Sequence, residues 1–126
     1  MGVLSELLKC IKKVDIDPAG TYKYILVNVN MLDAQEEVVF LRGYKSCWYH
    51  NDILNKFREE LTDNGIDISQ LQINCPGGGR IEKKDDIIKL YSISQAYGMA
   101  DHDQSRNIII KELNLPEANV TVSNEY

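Results

Sequence analysis

The sequence predicts an α/β fold of the α+β kind, a single mixed sheet with one helix packed on each face. Three observations predict it. Segments of strand character outnumber segments of helical periodicity by about three to one. The two strong helical stripes fall in the middle of the chain and near its end, where each can cover one face of a sheet. The 126 residues are expected to form one domain (1–126), since two independent cores would each be unusually small. Shares of 44% hydrophobic and 26% charged residues are those of an ordered globular chain.

Val3, Leu4, Leu7, Leu8 and Ile11 recur at helical spacing, so residues 1–12 are expected to form an amphipathic arm laid over a hydrophobic edge. Val14 to Asp17 reads as a brief strand ended by Pro18-Ala19-Gly20. Thr21 to Asn30 is a stronger one, with Ile25, Val27 and Val29 on one face and Tyr22, Tyr24 and Leu26 on the other. Apolar residues on both faces mark an inner strand. Glu37 to Leu41 returns after a polar loop as its antiparallel neighbour. Ile53, Leu54, Phe57 and Leu61 then form a helical stripe, with Asn51 or Asp52 at its start and Asn64-Gly65 at its stop.

Leu71 and Ile73 alternate as a strand leading into Cys75-Pro76-Gly77-Gly78-Gly79, where a bulged turn or a close backbone approach is expected. Arg80 to Lys83 and Ile87 to Ser94 read as a hairpin around Asp85-Asp86. After Tyr97-Gly98, Asp101 and Gln104 look like a capping pair for a second helix. Ile109, Ile110 and Leu113 supply its apolar stripe, and Pro116 ends it. Asn119 to Val122 is the last strand.

Fourteen basic against nineteen acidic residues leave a net charge of −5, which argues against broad nucleic-acid binding. No apolar stretch is longer than a handful of residues, so no membrane span is expected. Cys10, Cys47 and Cys75 are odd in number and lack metal-clip spacing, so reduced thiols in a cytoplasmic protein are expected. Met1-Gly2 fits a myristoylation signal poorly, because Glu6 stands where Ser or Thr is wanted. Gly-Lys-Ser/Thr is absent, which excludes a Walker loop, and no tight Asp/Glu/His cluster resembles a catalytic metal site.

Two near-motifs carry competing chemistries. Asp15-Ile16-Asp17 resembles the paired aspartates of a phosphate-transferring strand end, but only Val14 stands where a long apolar strand should precede it. Cys75 to Arg80 resembles a cysteine phosphatase cradle with one residue too few, which changes where every amide points. The two histidines are more informative, since imidazole changes charge near neutral pH. His50 precedes the first long helix, whose positive end favours an anion beside it and, with Lys23 or Arg80, a neutral ring. His102 lies in the first turn of the second helix, where a capping or surface role is expected. Lys23, Arg42 and Arg80 are the cations available to an anionic substrate.

Six segments in order along the chain resemble the 14-kDa phosphohistidine phosphatase, or janus, family. They are Val14 to Asp17, Tyr22 to Leu26, Arg42 to Lys45, Tyr49 to Ile53, Gly77 to Ile81, and Ser94 to Gly98. The resemblance implies a mixed sheet of about six strands flanked by two helices, in agreement with the strand count. It further implies metal-independent hydrolysis of the phosphorus–nitrogen bond of phosphohistidine in proteins, by a cytoplasmic monomer with no cofactor and no nucleic-acid or membrane partner. His50 would then be catalytic, as proton acceptor or nucleophile. Lys23, Ser94, Gln95 and Ala96 would bind substrate phosphate and Arg80 would neutralise it, while Arg42, Gly79 and His102 would support the site. Gln95 and Asn51 occupy places that vary in the family, so their side chains are expected to be dispensable, with the phosphate held by backbone N–H groups. Two other readings belong beside this one: a family member that only binds phosphoproteins, and a phosphoamidase preferring phospholysine.

Overall fold

Residues on both sides of the second strand are buried, and this sets the architecture. In the computed structural model, which describes residues 2–32 and 35–125, β2 (Gly20–Met31) sends Ile25, Val27 and Val29 into one hydrophobic cluster and Tyr22, Tyr24 and Leu26 into another. The other strands are β1 (Val14–Ile16), β3 (Glu37–Gly43), β4 (Leu71–Lys84), β5 (Ile87–Tyr91) and β6 (Val120–Val122). They form one open six-stranded sheet in the order β1-β3-β2-β4-β5-β6. The outer pairs, β1 with β3 and β5 with β6, are parallel, and the inner pairs are antiparallel. A mixed sheet results, with β2 and β4 at its centre.

Helix α2 (His50–Asp63) covers the Ile25 face with Ile53, Leu54, Phe57 and Leu61, the stripe its periodicity predicts. The short helix α1 (Val3–Leu7) lies on the same side, where Leu4, Leu8 and Ile11 are buried while Val3 and Leu7 face outward. The opposite face is covered by α3 (His102–Leu113) through Ile109. No helix is long and apolar enough to cross a membrane.

Four boundaries differ from the sequence expectation. The glycines make no turn: β4 runs unbroken from Leu71 through Gly77, Gly78 and Gly79 to Lys84. The register with β2 shifts between Leu26 and Asn28, so Cys75 and Pro76 together oppose Val27, and this bulge takes the proline out of the ladder. Helix α2 starts at His50 rather than beyond it, with Tyr49 as the cap residue. Asp52 acts from inside the first turn, where its Oδ2 accepts the Tyr49 N–H at 3.0 Å. Strand β5 stops at Tyr91, because Ser92 takes a left-handed conformation (φ 68°) that no ladder continues. In α3 the Asp101 cap holds as expected, accepting the Gln104 N–H at 3.1 Å. Its end is set by Asn114 (φ 55°) ahead of Pro116, and Leu113 is exposed while His102 and Ser105 join Ile109 on the buried face.

Candidate active site

The antiparallel pairing of β2 with β4 places Lys23 directly opposite Arg80. Both alternate with residues of the other face, so they lie on the side covered by α2. His50, the first residue of that helix, is buried against the same two strands. Its Nε2 lies 3.0 Å from the Gly79 carbonyl oxygen. A carbonyl only accepts, so Nε2 carries the hydrogen and the ring's lone pair is on Nδ1. Close approach requires glycine at 78, where a Cβ would stand 2.6 Å from His50 Cδ2. With the Cδ2–Nε2 edge pressed on β4, the Nδ1 edge faces away from the strand.

Burial lowers the His50 pKa, and the positive charges of Lys23 and Arg80 add to that, outweighing the hydrogen bond His50 donates to the Gly79 carbonyl, which favours the charged ring. The imidazole is therefore neutral at neutral pH.

Beyond β5 the chain makes a small loop that forms the facing wall. Ser94 and Gly98 exchange backbone hydrogen bonds of 3.1 and 2.8 Å, and Ser94 Oγ accepts the Tyr97 N–H at 3.1 Å. The Ser94 hydroxyl oxygen thus accepts within the loop, and the residue is buried. Gln95 and Ala96 form the exposed tip, and their N–H groups have no hydrogen-bond partner among the described residues. Lys23, His50, Arg80, Ser94, Gln95 and Ala96 together line one open cleft of ≈ 560 Å³. Four distant stretches of chain meet there.

Tyr49, Asn51, Ser92 and Ile93 also line it. Tyr49 could have been inferred from its place beside His50, whereas Ser92 and Ile93 carry no chemical signature. Sequence reasoning had set the Asn51 side chain aside.

Three of the expected supporting residues lie outside the cleft. Gly79 contributes its carbonyl to His50. His102 is neither a cap nor a surface residue: it is buried on the α3 face, with Nε2 donating to the Ser92 carbonyl at 2.9 Å and Nδ1 beside the Tyr24 hydroxyl. The Tyr24 hydroxyl also lies 2.9 Å from Ser105 Oγ. A Cβ at position 79 would come within 2.6 Å of His102 Cε1, so adjacent glycines admit one histidine from each face of the sheet. Arg42 is fully buried far along α2. It pairs with both Glu60 carboxylate oxygens at 3.0 and 3.1 Å, donates to the Leu41 and Lys12 carbonyls, and touches no cleft residue.

Neither near-motif forms a site. Cys75 sits in a strand rather than a cradle, and burial pushes its thiol up to about 11, so it is not a thiolate at neutral pH. Asp15 accepts the Tyr44 hydroxyl at 2.8 Å and Asp17 accepts the Lys45 N–H at 2.7 Å, both as links between β1 and the end of β3. Among the described residues, no three His, Cys, Asp or Glu side chains gather as a metal-holding group.

The Janus/Ocnus family profile matches residues 8–117. The chain belongs to the Janus/Ocnus family. Among its relatives, the sex-regulated protein janus-A of Drosophila simulans is 36% identical over 123 residues, covering 95% of this chain and 84% of its own. Janus-A of Drosophila melanogaster is 35% identical over the same length. A pig member of the family named 14 kDa phosphohistidine phosphatase is 36% identical over 128 residues, covering 96% of this chain and 95% of its own.

Proposed function

We propose that this Janus/Ocnus chain is a metal-independent protein phosphohistidine phosphatase in which His50 is the phosphoryl acceptor. One observation carries the reading: a neutral imidazole whose Nε2 is committed to Gly79 and whose Nδ1 lone pair is free, in a cleft shared with Lys23 and Arg80. The name of the pig relative points the same way.

The phosphate oxygens meet Lys23, Arg80, the N–H groups of Gln95 and Ala96, and the His50 and Asn51 amides, which have no hydrogen-bond partner among the described residues. Phosphoryl transfer passes through a loose transition state, so positioning and charge stabilisation supply most of the catalysis. Nδ1 of His50 forms a bond to phosphorus as the bond from phosphorus to the substrate nitrogen breaks. That electron pair returns to the substrate ring, which leaves as neutral imidazole because its other nitrogen is protonated. Water then adds oxygen to phosphorus, phosphate departs, a proton goes to solvent and Nδ1 regains its lone pair. Donor and acceptor are both phosphoimidazoles of nearly equal energy, which favours direct attack over a role for Nδ1 as base towards water.

The test is phosphate release from phosphohistidine, phospholysine and phosphoserine peptides side by side in excess EDTA. Release from phosphohistidine and none from phosphoserine is expected. Activity lost on chelation and restored by magnesium or zinc would overturn the metal-independent reading, and binding without release would make the chain a phosphoprotein-binding member instead. Rapid quench with radiolabelled phosphohistidine should place acid-labile, alkali-stable label on the His50 peptide. Normal turnover with no early label would make His50 a general base.

A further inference from the structure

We infer that the hydrogen bond between Tyr97 and Asn51 is a latch that holds the tip of the Ser94–Ala96 loop against α2, making both residues positioning residues for the phosphate. The inference rests on the cleft being the phosphate site. The Tyr97 hydroxyl donates to Asn51 Oδ1 at 2.6 Å, joining residues 46 apart in the chain and tying together the two walls of the cleft.

The base of the loop is anchored independently. The Gly78 N–H donates to the Gly98 carbonyl and the Ala100 N–H to the Gly78 carbonyl, both at 3.0 Å, so the loop stem is fastened to β4. Above that stem, Gly98 takes a left-handed conformation (φ 85°), and Gln95 and Ala96 project into solvent. Among the described residues, the Tyr97 hydroxyl provides the hydrogen bond that fixes the tip relative to the helix. On one side of this bond are the free amides of Gln95 and Ala96. On the other are the amides of His50 and Asn51 at the start of α2, which have no hydrogen-bond partner among the described residues. A phosphate held by both sets needs their separation fixed before it arrives. Otherwise binding itself must order the loop, and affinity falls by that cost. The Asn51 side chain acts through geometry, without touching the phosphate.

The experiment compares Tyr97→Phe, Asn51→Ala and the double variant with the unaltered chain. Inorganic phosphate is titrated while the amide signals of Asn51, Gln95 and Ala96 are followed by NMR, and kcat and KM are measured on a phosphohistidine peptide. Each single change should weaken phosphate binding by about two- to tenfold, the range of one net hydrogen bond. The loss should appear in KM rather than in kcat. The double variant should be no worse than either single one, because both remove the same bond. Phosphate shifts in the unaltered chain with unchanged affinity in the variants, or losses that add in the double variant, would overturn the latch alone. No phosphate-dependent shift at these amides in the unaltered chain would overturn the site and the latch with it.

Discussion

With Nε2 of His50 already donating to Gly79, a second proton would have to go onto Nδ1, placing charge beside Lys23 and Arg80 in a buried setting. Burial first and these two cations second make that unfavourable. Removing a cation relaxes the constraint, so Lys23→Met and Arg80→Met should each raise the His50 pKa, and an NMR titration of the imidazole Cε1–H would read it directly. A pKa that falls or stays in both variants would contradict the electrostatic origin. On the proposed mechanism the active form lies above the pKa, so the acid limb of kcat/KM should move to higher pH in these variants. The same shift bears on stability. Because the folded pKa is depressed, the contribution from a neutral His50 is present above the ordinary imidazole value of about 6.5 and is lost as pH falls through the folded value. Cys75 stands in contrast. Its thiol is protonated at neutral pH and packs as a small apolar group, so Cys75→Ser should keep most phosphatase turnover. A collapse in kcat with normal folding would restore a thiolate mechanism.

Strand β4 is thinned where its neighbours need room. A Cβ at Gly77 would strike the Ala100 backbone, one at Gly78 the His50 ring and the Tyr24 carbonyl, and one at Gly79 the Tyr91 carbonyl and His102. These collisions differ in kind. At position 78 the Tyr24 carbonyl at 2.7 Å must also give, and the ring of His50 can move only at the cost of its aim, so Gly78→Ala should lower phosphohistidine turnover of the folded variant by at least tenfold, on the order of the effect of displacing a catalytic group by an ångström. At position 79 the obstacle includes backbone at 2.5 Å, which cannot yield without breaking the β4–β5 ladder. Gly79→Ala should therefore destabilise the fold by about 1–3 kcal/mol, measured by urea unfolding. Equal losses of turnover in the two folded variants would contradict this division of labour.

Across the molecule, Arg42 ties three parts together. Its guanidinium joins β3 to Glu60 on α2 and to the Lys12 carbonyl ahead of β1, with its carbon 5.6 and 5.2 Å from the ring centres of Phe40 and Phe57. Glu60 is partly exposed, yet its loss leaves a fully buried charge with carbonyls as its remaining partners. Glu60→Gln should cost about 1.5–3 kcal/mol of unfolding free energy, the range for hydrogen bonds to charged groups, with kcat unchanged because the pair touches no cleft residue. A fall in kcat in the folded variant would place Arg42 in the catalytic machinery after all.

Strand and helix identity in this chain is written locally. The alternation of Tyr22 to Val29 and the stripe of Ile53, Leu54, Phe57 and Leu61 are properties of neighbouring residues, and both are buried as their periodicity requires. Lys23, His50 and Arg80 were legible as candidates because charged groups and a histidine are visible one at a time, whereas Ser94 to Ala96 entered only through the family resemblance. Their meeting in one cleft was not legible, since it depends on the pairing of Lys23 with Arg80 and on where α2 begins. Local chemistry alone left the glycines open between a bulged turn and a close backbone approach, and misread His102 as a capping or surface group. Three glycines favour a turn until two histidines from opposite faces need the same stretch of strand, and a polar residue in a first helical turn looks solvated until the sheet buries it. Long-range packing supplies both facts, because only the folded register determines which side chain stands over which backbone atom.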